Sequence, residues 1–358
     1  MKRIKEIPIF IEIGSRPQGG VKNIKKGILS IGGEHIGLNG KLFLKNPKYV
    51  SLKFYESAKL GKITANDVLL CKDGALSGKV VMVDESFNQK AMINEHVFIL
   101  KSDNKIIQKY IFYYLKSDTG QILLKSIVTG AAQGGINSTN LKNLKIPIPL
   151  IEVQKKIITE IEQLEQKEQK NIQIIEQKKK ETELIVEEIF KINPKVKINE
   201  KLTFEYGKSL PKNKRVPGSY PVVGSNGING WHNEYCVEKP VLIIGRKGSA
   251  GKVNLFNKNC WPIDTTFYVK LLNSQESIKF YYYILKYIEL QIINLVRGAG
   301  VPGLNRSDIY KLNIPNVNHK IQTQIILRIE KPEAEIERLE KENSTLRDQI
   351  KEVLRRYL

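Results

Sequence analysis

The sequence predicts an α+β protein: two similar globular domains separated by a pair of long antiparallel coiled-coil helices, a pseudo-twofold internal repeat. Two observations predict it. A set of short motifs occurs twice in the same order, and each half closes on a long charged segment with helical spacing.

The repeat is read from five matches. Val68–Val80 (VLLCKDGALSGKV) answers Val241–Val253 (VLIIGRKGSAGKV), and Lys109–Ser117 (KYIFYYLKS) answers Lys279–Tyr287 (KFYYYILKY). GAAQGGIN at Gly130–Asn137 answers GAGVPGLN at Gly298–Asn305, both fitting G-A-x-x-x-G-[I/L]-N. An Ile-Pro step follows each, Ile146-Pro147 and Ile314-Pro315, and Gln154 and Gln322 then open the long segments. The predicted segments are 1–148 (domain one), 149–191 (central helix), 192–316 (domain two) and 317–358 (C-terminal helix).

Short apolar runs bounded by Gly or charged residues read as strands. They are Val68–Cys71, Val80–Val83 and Val97–Leu100 in domain one, and Val241–Ile244, Val253–Phe256 and Phe267–Lys270 in domain two. The aromatic segments at Tyr110–Tyr114 and Phe280–Tyr283 read as helices whose rings belong to the core.

Glu152–Ile189 contains neither Pro nor Gly, so it reads as one helix, with a seam through Ile157, Ile161, Leu164, Ile175, Ile185 and Ile189 and a polar middle at Glu165–Lys170. In the C-terminal segment apolar residues recur in steps of three, four and seven at Ile325, Ile329, Ile336, Leu339, Leu346, Ile350, Val353 and Tyr357, with Asn343 as a polar register position and Pro332 as an expected kink. The central helix carries the chain out of domain one. The second buries its seam by running back, which predicts antiparallel pairing.

The 358 residues carry a formal net charge of +21. Residues 1–148 hold +12 of it and residues 192–316 hold +10, against −2 for 149–191 and +1 for 317–358. A surplus confined to the two globular domains predicts a polyanionic partner touched at two places, and double-stranded DNA suits that pattern.

The candidate contact residues follow from the loops. Glycine lets backbone approach a phosphate and Lys or Arg neutralises it, which selects Lys72, Ser77 and Lys79 in domain one and Arg246, Lys247, Ser249 and Lys252 in domain two. Arg246 and Lys247 also have the chemistry for a guanine edge. Gln133 and Arg297 lie in or beside the two G-A-x-x-x-G loops. Gly224–Tyr235 offers Asn226, Asn229, Trp231 and His232, and Gly32–Phe43, in the matching place, offers Asn39 and Lys41.

Other chemistries fail on spacing. The Lys-containing loops lack the first Gly and the final Ser/Thr of a Walker A motif, and a strand follows where that motif needs a helix. Asn46-Pro47-Lys48-Tyr49 lacks the second proline of an adenine methyltransferase signature and reads as a turn. No Asp/Glu/Lys cluster is shared by the halves, so no catalytic residue is expected. Cys71, Cys236 and Cys260 form no CxxC pair, and His35, His96, His232 and His319 are scattered, so no metal site is expected. With no apolar stretch of spanning length and no signal-peptide core, a reduced cytoplasmic setting and no membrane contact are expected.

Together the duplicated G-A-x-x-x-G-[I/L]-N loop, the Ile-Pro step, the Gln-opened helix and the segment Tyr220–Tyr235 with Val241–Val253 resemble the specificity subunits of type I restriction-modification systems. The resemblance covers essentially the whole chain. It implies that residues 1–148 and 192–316 are target-recognition domains, each reading one half of a bipartite DNA site, with the helices setting the spacing. It implies docking of modification subunits, two in number, that bind S-adenosylmethionine and methylate adenine. Restriction subunits using ATP and Mg2+ would join through them, leaving no cofactor on this chain. Two alternatives stay open: the specificity subunit of a type IIB or methylation-only system, and a stand-alone two-headed DNA-binding regulator.

Overall fold

The strand Val68–Cys71 is buried at every position. Its side chains alternate between two cores, which explains the unbroken apolar run VLLC. Val68 and Leu70 point into a cluster with Tyr110, Ile111 and Ile157, while Leu69 and Cys71 point into a second cluster with Ile31, Val81 and Ile93. Domain two repeats this: Leu242 and Ile244 pack with Phe204, Phe280 and Ile284, and Ile243 packs with Val223 and Cys260.

The computed structural model describes residues 1–37, 39–130, 134–298, 300 and 302–358. The chain divides into two compact units, Met1–Lys170 with Glu342–Leu358, and Asn171–Lys341. Each contains a four-stranded antiparallel sheet and a three-stranded sheet of the same topology. In unit 1 the order is Phe10–Ile13, Val97–Lys101, Val68–Cys71, Val80–Met82, with the second sheet ordered Lys48–Val50, Ile28–Ile31, Ala91–Ile93. In unit 2 the order is Leu202–Tyr206, Thr266–Leu271, Val241–Gly245, Val253–Phe256, with Gly227–His232, Tyr220–Gly224, Trp261–Pro262. Within each smaller sheet the last pairing is parallel. All six expected strands are present, within a residue at either end. The strands Phe10–Ile13 and Leu202–Tyr206 are additions to the six expected ones.

The repeated motifs acquire structural reasons. Lys145–Ile146 of the first Ile-Pro step pairs with Lys2–Arg3, and Asn313–Pro315 of the second pairs with Lys195–Lys197, so each step closes its unit just before a long helix. Asn137 and Asn305, which end the two G-A-x-x-x-G motifs, are N-caps: their side-chain oxygens accept from Asn140 N–H at 2.7 Å and Ser307 N–H at 3.1 Å. Gln322 is fully buried. Its Nε2 donates to the Val317 carbonyl at 2.9 Å and its Oε1 accepts Ser277 N–H at 2.9 Å. Gln154 makes only the first of these, to the Pro149 carbonyl at 2.9 Å, and its buried Oε1 has no partner among the described residues. Gln322→Ala strands two backbone groups and is expected to cost about 2–4 kcal/mol, against about 1–3 kcal/mol for Gln154→Ala. Thermal melts of the two variants check the order.

The aromatic helices, Lys105–Lys116 and Ile278–Tyr287, lie between sheet and long helix in each unit. Tyr110 and Tyr281 are among the largest fully buried side chains. Their flanking polar atoms meet carboxylates of the long helices. Lys109 binds Glu162 at 2.7 Å, while Tyr113 and Lys116 both reach Glu165, at 3.0 and 2.9 Å. In unit 2, Lys279 binds Glu330 at 2.7 Å and Tyr283 donates to Glu333.

The long helices are Ile151–Ile192 and His319–Tyr357. They run antiparallel within each unit: Glu160 and Glu168 meet Arg356 and Arg347 in unit 1, while Lys178 and Glu188 meet Glu335 and Arg328 in unit 2. Their seams do not form separate bodies, as the four-segment division would have it. Ile157, Ile158 and Ile161 belong to the core of unit 1 and Ile185, Val186 and Ile189 to that of unit 2, so each helix is shared out between the units. Pro332, expected to interrupt the second helix, sits inside one continuous helix and is buried. Its ring removes one hydrogen bond, and the seam residues Ile329 and Leu339 on either side stay buried.

Candidate nucleic-acid interface

In unit 2 the loop after Val241–Gly245 is shaped by glycine. Gly248 and Gly251 have positive φ of 74° and 89°, and a Cβ on Gly251 would lie 2.7 Å from Ile293 Cγ1. The G-A-x-x-x-G loop docks under it through backbone bonds: Gly248 N–H donates to the Pro302 carbonyl at 3.2 Å and Leu304 N–H to the Arg246 carbonyl at 2.8 Å. Arg297 forms a bridge to Gly303, which also bridges Lys247. Two distant sequence motifs thereby become one surface.

That surface gathers cations. Lys247 and Arg297 are exposed, with no ion-pair partner among the described residues. Arg246 stacks on Tyr206, its guanidinium carbon 5.3 Å from the ring centroid, and its Nε and Nη2 donate to the Asp264 carbonyl at 3.0 and 2.6 Å. Arg306 lies 5.1 Å from the same ring and donates to the Phe204 carbonyl at 3.2 Å. Ser249 Oγ approaches Asn226 Oδ1 at 3.4 Å, which brings the turn of the smaller sheet to the same place. Of the sequence candidates, Arg246, Lys247, Ser249, Asn226 and Arg297 therefore meet.

The other candidates in unit 2 stand apart. Lys252 is exposed but binds Glu289 at 3.4 Å. Burial raises the Glu289 pKa, but hydrogen bonds from Lys286 and from Val253 N–H outweigh it and hold the carboxyl below the usual range. Asn229 and Trp231 are exposed on the hairpin strand Gly227–His232. His232 corrects the sequence expectation: it is buried, its Nδ1 accepts Val216 N–H at 3.0 Å, and its ring meets Trp261 edge-on. Strand alternation turns it inward while Trp231 turns out.

In unit 1 the equivalent loop also leans on the G-A-x-x-x-G loop, with Gly74 N–H donating to the Gly134 carbonyl at 3.1 Å and Ile136 N–H to the Lys72 carbonyl at 2.8 Å. Ser77 spends its hydroxyl inside, donating to the Lys72 carbonyl at 2.9 Å and the Gly134 carbonyl at 3.2 Å. Charges here meet opposite charges. His96 lies 3.0 Å from Asp73 and 3.4 Å from Glu95, Arg16 lies 2.7 Å from Glu95, and Lys72 lies 3.8 Å from Asp73. Lys79 is half-buried. Asn39 and Lys41 are exposed, yet their loop is tied by the Gly40 carbonyl to Met82 N–H, at the end of Val80–Met82 far from Lys72. Gln133 lies outside the described residues.

Sequence reading missed Tyr206 and Arg306. The signal for Arg306 was its place directly after the motif Asn305, where unit 1 has Ser138. It also passed over the cluster Lys208, Lys212, Lys214 and Arg215, whose Arg215 runs across Gly230 and donates to the Asn229 carbonyl. Among the described residues, no three His, Cys, Asp or Glu side chains are grouped to hold a metal ion, and no helix is long and apolar enough to cross a membrane.

The chain is thus a duplicated α+β protein, its strand order repeated in both units around different loops. The chain belongs to the type I restriction modification DNA specificity domain family, which it matches twice, at residues 15–183 and 190–347. It is 30% identical over 122 residues to the type I restriction enzyme MjaVIII specificity subunit of Methanocaldococcus jannaschii. That match takes in 33% of this chain and only 27% of the relative. The fold is similar to that of the type I restriction-modification S subunit from M. genitalium, with a TM-score of 0.64, 16% identity, and coverage of 100% of this chain and 95% of the other. It is also similar to a chain solved in a study of complex assembly and conformational transition of the type I R-M system, with a TM-score of 0.60, 15% identity, and coverage of 99% and 96%.

Proposed function

We propose that this chain reads DNA sequence as the specificity subunit of a type I restriction-modification complex, each unit taking one half of a bipartite site. The observation that carries the reading is the pairing of one repeated topology with two unlike loop faces. Common sheets hold each face to a duplex in the same way, while different side chains on it select different bases. The chain itself has no catalytic role. The long helices space the two readings and dock two modification subunits, which bring S-adenosylmethionine and methylate adenine. Restriction subunits supply ATP- and Mg2+-dependent cleavage where the system has them.

The test is to sequence methylated adenines in cells carrying the complex. A two-part motif with a fixed gap is expected. Exchanging residues 1–148 for the corresponding domain of another family member should change one half of the motif and leave the other intact. A single continuous motif, or a change in both halves, would overturn the reading.

A further inference from the structure

The loops of the two units correspond in space one place away from the alignment of their glycines in sequence. Cys71 pairs across the sheet with Val97, and Gly245 pairs with Thr266. The next residue in each unit makes the same backbone bonds. Lys72 N–H donates to the His96 carbonyl and Arg246 N–H to the Thr265 carbonyl, both at 2.8 Å. Lys72 and Arg246 therefore occupy one equivalent position. Both side chains also reach the same equivalent carbonyl: Lys72 Nζ that of Glu95 at 3.4 Å, and Arg246 that of Asp264.

What differs is the head group and its support. In unit 2 the Asp264 carbonyl takes the side edge of the guanidinium, Nε and Nη2. The end edge, Nη1 with the outer hydrogen of Nη2, has no partner among the described residues. Tyr206, opposite Phe267 in the sheet, sets its ring against the guanidinium, whose carbon lies 5.3 Å from the ring centroid, and this contact adds to the two bonds to Asp264 in restraining the fork. Unit 1 has Ile13 there, opposite Phe98, and the Lys72 ammonium lies over the Phe98 ring instead, 5.9 Å from its centroid, as a point charge with no plane to be held. Two parallel N–H donors with a fixed plane match the O6 and N7 acceptors of guanine, and holding them beforehand lowers the ordering cost of binding. A phosphate contact needs a positive charge but not a fixed plane, and Lys72 supplies that alone.

We infer that Arg246 is a specificity-determining residue that reads one guanine in the half-site bound by unit 2, and that Lys72 at the equivalent place reads none. The inference rests on the proposed DNA-reading function. It is tested on the assembled complex with duplexes carrying the methylated motif, in which each guanine in turn is replaced by 7-deazaguanine, which lacks the N7 acceptor. For the unaltered protein, one guanine in one half-site should stand out, its replacement weakening binding about tenfold or more. With Arg246→Ala that sensitivity should vanish, and the methylated motif should accept other bases at that position. Arg246→Lys, which keeps the charge, should lose the same sensitivity in part while its melting temperature is unchanged. Equal 7-deazaguanine profiles for the unaltered and Arg246→Ala proteins overturn the assignment alone. So does a uniform loss of affinity with the motif unchanged, which marks a phosphate contact. A wild-type complex that yields no shared motif at all overturns the DNA-reading function and the inference with it.

Discussion

Replacing Ile329 with Asp should unfold unit 2 and leave unit 1 standing. Ile329 is fully buried where the second long helix crosses the core of unit 2, in a cluster with Ile185, Val186, Ile189 and Phe204. Loss of such an aliphatic side chain costs about 2–5 kcal/mol, and a carboxylate left without a partner there adds several more. A domain is stable by only about 5–15 kcal/mol, so the sum removes most or all of it. Calorimetry should show one of two unfolding transitions missing, and the methylated motif should lose one half. Ile329→Val, costing about 0.5–1.5 kcal/mol, is the control that keeps both. Disappearance of both transitions with Ile329→Asp would show that the units do not unfold separately.

The second large effect is electrostatic. Lys247→Ala with Arg297→Ala should make DNA binding less dependent on salt, because both cations face solvent and neither forms an ion pair among the described residues. Each phosphate contact contributes about 0.9 to the slope of log K against log salt, so the pair should reduce it by about 1.8. At 0.1 M salt that corresponds to a loss of roughly sixtyfold in affinity. Lys252→Ala should change the slope little, since Glu289 already compensates that charge. Binding isotherms of the complex at several salt concentrations decide it. An unchanged slope for the double variant would remove this loop from the interface.

Much of the architecture was readable because its reasons are local. Glycine turns, the N-cap residues Asn137 and Asn305, and the apolar runs VLLC and VLII each leave a mark in a few consecutive residues. The aromatic helices were readable as core because Tyr110, Phe280 and Tyr281 sit among apolar neighbours, and they are buried. The strand Phe10–Ile13 was not, because at the edge of its sheet both ends are exposed and burial does not alternate, whereas Leu202–Tyr206 does alternate apolar and polar residues and was passed over.

The recognition face was less readable than the fold. His232 has the right chemistry in a promising loop, but the pleat of its strand sends it inward, and nothing in Gly224–Tyr235 announces that phase. Tyr206 meets Arg246 and Arg306, residues 40 and 100 positions away in the chain. The loops differ in length by one residue, so aligning their glycines mispairs Arg246 with Asp73 instead of Lys72.

The chain's own order of residues determined the duplication, the α+β composition, the helical seams and the confinement of positive charge to two regions, because each depends on spacing along the backbone. Only the tertiary structure decided which cations remain unpaired and which are neutralised by Glu289, Asp73 or Glu95. Pairing depends on distances of a few ångströms between residues far apart in sequence, and those distances exist only once the sheets have brought the loops together.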